Sequence, residues 1–432
     1  MKHILKKNKM FIIIKVIAIL LIVLLIKEGM NYAKSSGEIK PVSTKEVNKN
    51  NKERKTIKAL TNYVTKEDMS LANRWKGSDM SQIAAVMRKA RLGEKVTIAC
   101  IGGSITQGTI SKGTGDSSVE VHKSYAEIFF KWWSDTFPNT KFKFVNAGIG
   151  ATDSYLGVHR VKKDVLDYHP DLVVVEFSVN DADNFTYKNT YDNLVRRILL
   201  SENSPAVMLL FMGQTNGASA QNTHSLVGFN YSLPMVSYKN VIENMMKEGR
   251  YSAKQLSGDI THPSALGHAI AGEMLWKYLN SIYEKIDTYK EPTPFKHEAI
   301  TKECYLQSEI LDNKNITPDS LGTFKKSSKF EAFPNDWTSK EGKGEIKYII
   351  KCRNLGIMYY CTTDGLSGQF DVYIDGKKAT TLDANFTGGW GNYAASKEVY
   401  TSDKAEKHSI VIKKSVGSTG EEFTVLGLLA SY

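Results

Sequence analysis

Val96-Thr97-Ile98-Ala99-Cys100-Ile101-Gly102-Gly103-Ser104-Ile105-Thr106-Gln107-Gly108 decides how this chain folds. The run from Val96 to Ile101 carries no charge and is dominated by apolar and β-branched side chains, so it reads as a strand buried on both faces. Strands of that kind belong to parallel sheets covered by helices. The run stops at two glycines and a serine. Glycine brings no Cβ into a sharp turn, which sets Ser104 at the strand's carboxyl end. In open α/β sheets that edge holds the ligand crevice, so a hydroxyl there can meet a substrate. In an ordinary loop the same three residues serve only turn chemistry.

Working outward, strand-like and helix-like segments alternate from Leu71 to Lys285, the pattern of a parallel sheet with crossover helices. Phe142 to Asn146 predicts a second strand, Leu172 to Phe177 a central third and Val207 to Met212 a fourth. Helices are expected over Lys123 to Thr136, Ser154 to Tyr168, Thr190 to Ser201 and Pro234 to Lys247, with a last one opening at Pro263. After Asp287 the pattern changes to short alternating runs such as Phe370 to Ile374, closed by the turn signal Asp375-Gly376. An all-β sandwich of about 135 residues fits that spacing. The expected organisation is an N-terminal signal or anchor over 1–30, a polar tether over 31–67, an α/β domain over 68–287, a linker over 288–294 and a β-sandwich over 295–432.

The formal charge of +11 invites a nucleic-acid reading, but fifteen Lys/Arg against four Asp/Glu lie within residues 1–66 and account for all of it. The remainder holds forty-two of each sign, which excludes a phosphate-binding surface as its organising feature. Lys2, Lys6, Lys7 and Lys9 precede the apolar run Phe11 to Ile26, broken only by Lys15. This is an export signal or a membrane anchor, with the N-terminus in the cytoplasm and the rest outside. Asn31-Tyr32-Ala33 is a poor cleavage site, which favours the uncleaved anchor. The four cysteines and nine histidines show no metal spacing, and no metal or cofactor is expected. Cys352 and Cys361 fall on two runs read as a hairpin turning at Arg353 to Gly356, a register that leaves them unpaired.

A serine hydroxyl is a weak nucleophile until a base takes its proton, so Ser104 needs a histidine with an orienting carboxylate. Gly258-Asp259-Ile260-Thr261-His262-Pro263 places an acid three residues before a histidine at the start of the last helix. A helix N-terminus disfavours imidazolium, and Asp259 offsets that while holding the ring's tautomer. Acyl transfer also needs oxyanion donors. Asn146-Ala147-Gly148-Ile149-Gly150-Ala151-Thr152-Asp153-Ser154 and Ser178-Val179-Asn180-Asp181 supply candidates at the ends of the second and third strands, on the same edge as Ser104.

Gly102-Gly103-Ser104, the glycine turn after the second strand, Val179-Asn180-Asp181 and Asp259-x-x-His262-Pro263 together resemble the four blocks of SGNH hydrolases, the GDSL-like esterase superfamily. Order and spacing agree over about 200 residues, from Arg74 to Tyr283. The Gly-Gly-Ser-Ile-Thr form and the β-rich companion are similar to the branch of bacterial carbohydrate acetyl esterases. The resemblance implies a three-layer, flavodoxin-like sheet, Ser104 as nucleophile, His262 as base and Asp259 as its orienter. It also implies an oxyanion hole of the Ser104 amide, a second backbone amide and the Asn180 side chain. Aligning Asn146-Ala147 and Gly157-x-x-Arg160 with the usual block puts Ala151 where the family has glycine; a shift of one residue makes the donor Gly150.

Gln221, His224 and Tyr231, in the long segment after the fourth strand, are expected on the rim of the active site, touching substrate. Glu176, alone in an apolar strand, is expected to pair with Arg160. Trp390, in Gly388-Gly389-Trp390-Gly391, is either a stacking face for a sugar or a core side chain. The functional expectation is an extracytoplasmic esterase that removes acetyl or other short acyl groups from a polysaccharide through an acyl-serine. The alternatives are an O-acyltransferase of wall or capsular glycans, a non-catalytic glycan-binding protein and a lipid esterase.

Overall fold

In a computed structural model of the chain, residues 62–73, 75, 77–119 and 123–432 are described. The expected signal or anchor, nearly all of the tether and Arg74 lie outside them. Among the described residues no helix is long and apolar enough to cross a membrane. The end of the expected tether is already part of the domain: Val64 is buried, and the Tyr63 amide donates to Glu273 at 2.8 Å.

The first sheet is built from β1 (Val96–Gly102), β2 (Phe142–Gly148), β3 (Leu172–Glu176), β4 (Ala206–Phe211) and β5 (Met235–Ser237). All pairings are parallel and the order is β2-β1-β3-β4-β5, the flavodoxin-like order with its switch point at β1 and β3. Alternate strand residues feed two cores, which is why the central strands β3 and β4 are nearly continuous apolar runs, whereas β2 at the edge carries Lys143 and Asn146. Ile98, Cys100, Leu172, Val174, Met208 and Leu210 face α1 (Lys66–Ala72), α2 (Ser81–Arg91), α4 (Tyr125–Thr136), α8 (Tyr238–Lys247) and α10 (Ala265–Tyr283). Ala99, Ile101, Val173, Val175, Val207 and Leu209 face α5 (Ser154–Asp164), α6 (Phe185–Leu199) and α7 (Gln221–Asn230). The short helix α3 (Ser104–Gln107) leaves the end of β1, and another, α9 (Ala253–Leu256), precedes Asp259 and His262.

Two local readings change. Pro234 to Lys247 is not one helix: Met235–Ser237 pairs with Leu209 to Phe211 as an edge strand, and the Ser237 hydroxyl then caps α8 by accepting the Asn240 amide at 3.0 Å. The segment after β4 also contains a helix, α7, whose sequence carries little amphipathic pattern because it is packed on several sides.

The C-terminal strands are β6 (Ser308–Leu311), β7 (Lys325–Ser327), β8 (Asp336–Ser339), β9 (Glu345–Cys361), β10 (Gln369–Ile374), β11 (Lys377–Asp383), β12 (Tyr393–Lys414) and β13 (Phe423–Ser431). They form one antiparallel network that folds over its own core. Phe370 of β10 stacks on Phe423 of β13 at 4.3 Å, although β12 and β9 lie between them in the sheet. Asp375 and Gly376, with φ of 51° and 79°, close the β10–β11 hairpin.

The hairpin expected at Arg353 to Gly356 does not exist. β9 runs straight through and pairs there with β12, Asn354 with Thr401 and Gly356 with Glu398. Asn354 can sit mid-strand because its buried amide donates to the Cys304 carbonyl at 3.0 Å and to Ser431 Oγ at 2.8 Å. Gly356 is there because Tyr155 of α5 presses on it, and a Cβ at that position would overlap the tyrosine hydroxyl. All four cysteines are free and buried. The β-strands thus pack directly on the helix that follows the β2 turn. Gly356→Ala should cost about 1–3 kcal/mol in urea unfolding through overpacking at this seam. Tyr155→Phe, which removes a buried hydroxyl without a partner, should leave stability unchanged or higher.

Candidate active site

The end of β1 shapes the site because it leaves no room for side chains. A Cβ on Gly102 would overlap the Thr106 hydroxyl and the Glu176 carbonyl, and one on Gly103 would overlap the Asn180 amide. Ser104 is the first residue of α3, so its amide has no acceptor within the helix. Its hydroxyl lies 2.9 Å from His262 Nε2. His262 Nδ1 lies 2.9 Å from Asp259 Oδ2. A carboxylate only accepts, so Nδ1 carries the proton and Nε2 is free to accept from Ser104.

Asp259 is also gripped by the backbone: its Oδ1 accepts the Thr261 and His262 amides at 2.7 and 2.6 Å. Partial burial acts to raise this carboxyl, but those hydrogen bonds to His262 and Thr261 outweigh it and hold the group below the usual carboxylate range. The histidine loop itself is anchored by two serines that the sequence reading did not single out. Ser111 Oγ and Ser257 Oγ donate to the His262 carbonyl at 2.5 and 2.6 Å, and Ser111 Oγ accepts the Gly258 amide at 2.7 Å. Nothing local marks either serine, since their partners are remote in sequence or simple backbone groups.

The β2 turn comes to the same edge. Thr152 N–H donates to the Ile149 carbonyl at 3.3 Å, closing a turn in which Ala151 takes φ 58°. Ala151 thus holds the left-handed conformation that glycine favours, at a cost of roughly 1–2 kcal/mol. Gly150 lies beside the serine, where a Cβ would stand 3.9 Å from Ser104 Cβ. Among the described residues neither the Gly150 nor the Ala151 amide has an acceptor. Asn180 completes the edge. Its Oδ1 is buried without a partner, and its side-chain amide makes no hydrogen bond among the described residues. Three sets of unused donors therefore surround the Ser104 hydroxyl: its own amide, the turn amides and, once the amide is oriented with nitrogen outward, Asn180.

Gln221, His224 and Tyr231 do not line a rim. All three are buried in the layer of α6 and α7. Gln221 donates to Asn240 at 3.0 Å and accepts from Ser237, while the Tyr231 hydroxyl donates to Asp192 at 2.5 Å. His224 stacks on Tyr191 at 3.6 Å and its Nε2–H reaches Asp181 Oδ2 at 2.9 Å. Asp181 in turn accepts the Ser154 amide at 2.8 Å, so His224 steadies the loop of Asn180 from behind. Glu176 is not paired with Arg160 either. Arg160 donates to the Gly102 and Ala147 carbonyls at 2.9 and 2.7 Å and to Asp164 at 3.0 Å, tying the ends of β1 and β2 to α5. Trp390 is 61% exposed and packs edge-on against Phe386 and beside Tyr393, so the core alternative is excluded. Among the described residues no three His, Cys, Asp or Glu side chains converge to hold a metal.

Residues 100–270 match the GDSL-like Lipase/Acylhydrolase family. The α/β domain belongs to that family. With it comes the class of the protein, an SGNH-type ester hydrolase. Among solved structures, a two-domain esterase (CEX) active on acetylated mannans is similar to this chain at 28% identity and TM-score 0.75, over 82% of this chain and 96% of that one. The same esterase co-crystallised with mannopentaose aligns at 28% identity and TM-score 0.72, over 82% and 95%. No curated protein sequence matches the chain. The likeness spans both the α/β domain and the β-strands that follow it.

The strain at Ala151 is open to test. Ala151→Gly should raise unfolding free energy by up to about 1 kcal/mol, the left-handed strain relieved less the entropy a glycine adds to the unfolded chain. A loss of stability of 1 kcal/mol or more would show that the alanine is not strained.

Proposed function

We propose that this protein removes acetyl and other short acyl groups from a polysaccharide, with Ser104 as nucleophile, His262 as general base and then acid, and Asp259 as the group that orients it. The observation that carries the reading is the unbroken line of hydrogen bonds from Asp259 through His262 to a serine whose surroundings offer unused donors. Ser104 Oγ attacks the acyl carbonyl as His262 Nε2 takes its proton. The negative charge that develops on the carbonyl oxygen is met by the Ser104 amide, an amide of the Gly150–Ala151 turn and Asn180. His262 then hands the proton to the departing sugar oxygen. Water repeats the sequence on the acyl-serine, giving the free acid and restoring the hydroxyl.

Hydrolysis is favoured over transfer by the openness of the relay. The side chains of His262 and Asp259 are 27% and 52% exposed, and an acyltransferase must keep water from its acyl-enzyme. An acetylated glycan as substrate is supported by the likeness to the acetylmannan esterase and by the exposed face of Trp390. An extracytoplasmic site of action is supported by the Lys-flanked apolar run from Phe11 to Ile26, which serves as an export signal or anchor.

Ser104→Ala should lower kcat for aryl acetate hydrolysis by at least about 10³-fold with the fold intact by circular dichroism. A variant that keeps wild-type acetate release would remove the nucleophile assignment. Trp390→Ala should raise KM for an acetylated polysaccharide several-fold, about 0.5–1.5 kcal/mol of lost stacking, and leave aryl acetate kinetics unchanged. Equal kinetics on the polymer would take Trp390 out of substrate binding.

A further inference from the structure

Glu176 is the last residue of β3, directly opposite Gly102 in the parallel register, and its side chain is wholly buried. No basic side chain among the described residues contacts it; Arg160, the cation expected there, is committed to carbonyls and Asp164. Its partners are hydroxyls and the backbone amide of Ser178, which donates to the carboxyl. Thr106 Oγ1, two residues beyond Ser104 in α3, donates to Glu176 Oε2 at 3.2 Å. Tyr125 OH lies 2.7 Å behind Thr106 and feeds its own proton into that oxygen. On the other side, Ser178 Oγ donates to the Met212 carbonyl at 2.9 Å and stands 3.4 Å from Glu176 Oε1.

The protons can be counted. Tyr125 gives to Thr106, Thr106 gives to Glu176 Oε2, and Ser178 gives to Met212. The lone pairs on Ser178 Oγ are then left facing Oε1, which is where a carboxylic acid proton would point. A wholly buried carboxylate with no cation is unfavourable even with the Thr106 hydroxyl and the Ser178 amide donating to it, whereas the neutral acid has an acceptor for its one hydrogen. The titratable groups bearing on Glu176 are Tyr125 from α4, Tyr191 from α6 and Asp181 from the loop after β3, and none is a cation. Burial first, with Asp181 adding to it, pushes the carboxyl up to about 7 despite the bonds from Thr106 and Ser178.

We propose that Glu176 is a positioning residue of the hydrolytic site, a neutral carboxylic acid that clamps the nucleophile helix through Thr106 to the Asn180 loop through Ser178. The two ends of one planar group thereby set the spacing between the attacking hydroxyl and an oxyanion donor. Neither end touches substrate. The proposal rests on the hydrolase reading of Ser104.

The sign of the pH effect follows. A carboxyl raised above its ordinary value in the fold stabilises most while both states hold the proton, and that stability is lost as pH rises from about 4.5 to about 7. Glu176→Gln keeps the shape and the inward hydrogen but cannot ionise; Glu176→Ala removes the clamp. Aryl acetate kinetics and melting temperatures are to be measured for the full chain and both variants from about pH 5 to pH 9. Expected are a tenfold or greater loss of kcat in the alanine variant with KM within about twofold, and recovery of most of that loss in the glutamine variant. The melting temperature of the wild type should also drop relative to Glu176→Gln as pH rises from about 5 to about 7, and level off above that. Wild-type kcat in the alanine variant would show a merely structural side chain. A glutamine variant as impaired as alanine, or one whose melting follows the wild type at every pH, would show that the group works ionised. Failure of the hydrolase reading appears separately, as wild-type turnover that Ser104→Ala does not abolish, and the melting comparison still tests the protonation state.

Discussion

The carbonyl of Gly102 holds the site together. It accepts the Arg160 guanidinium at 2.9 Å and the Ile149 amide at 3.1 Å, so the end of β1, the turn after β2 and the helix α5 meet on one oxygen. Arg160 is buried, and desolvation lowers its proton affinity, yet two carbonyls, Thr152 and Asp164 take hydrogens from its two terminal nitrogens and leave only Nε without a partner. Removing a single bond from such a buried cation leaves an uncompensated charge, which is why the geometry of that edge has little freedom. The helix α3, which begins at Ser104, is tied to the same edge by a second route, the Asn146 amide donating to the Thr106 carbonyl at 2.8 Å.

The strands and the order of the chemistry were legible because they rest on short-range patterns. Apolar runs ending in glycine or asparagine gave β1 to β4 within two residues, and an acid three positions before a histidine needs no tertiary information to be noticed. Readings failed where a residue's ordinary meaning was overridden by a distant partner. Asn354 and Gly356 look like turn residues, but Cys304, Ser431 and Tyr155 give them reasons to sit inside a strand. Met235 to Ser237 looks like helix entry, but the open edge of β4 takes it as a strand.

The buried polar residues were the hardest to read. Gln221, His224 and Tyr231 are polar residues in a segment that follows a strand, a description that fits an active-site rim and a hydrogen-bonded interior equally well. Only packing shows that α7 and the residue that caps it turn them inward, where Asn240, Asp181 and Asp192 accept a hydrogen bond from each. Glu176 and Arg160 were paired on charge alone. In the fold Glu176 meets the hydroxyls of Thr106 and Ser178, while Arg160 is taken by the carbonyls at the strand ends and by Asp164.

Sequence alone determined that a parallel sheet with helices on both faces would carry a serine, an asparagine and an acid–histidine pair, since burial and turn chemistry are written in consecutive residues. It also located the excess of positive charge within the first 66 residues. Tertiary structure alone decided the distances. Ser104 and His262 are 158 residues apart, and their 2.9 Å contact depends on α10 and β1 packing against the same core. It also decided that Ala151 would bear a left-handed conformation and that Glu176 would lie without a cation. Such outcomes depend on which backbone and side-chain groups converge from separate elements, and no local pattern of residues encodes that convergence.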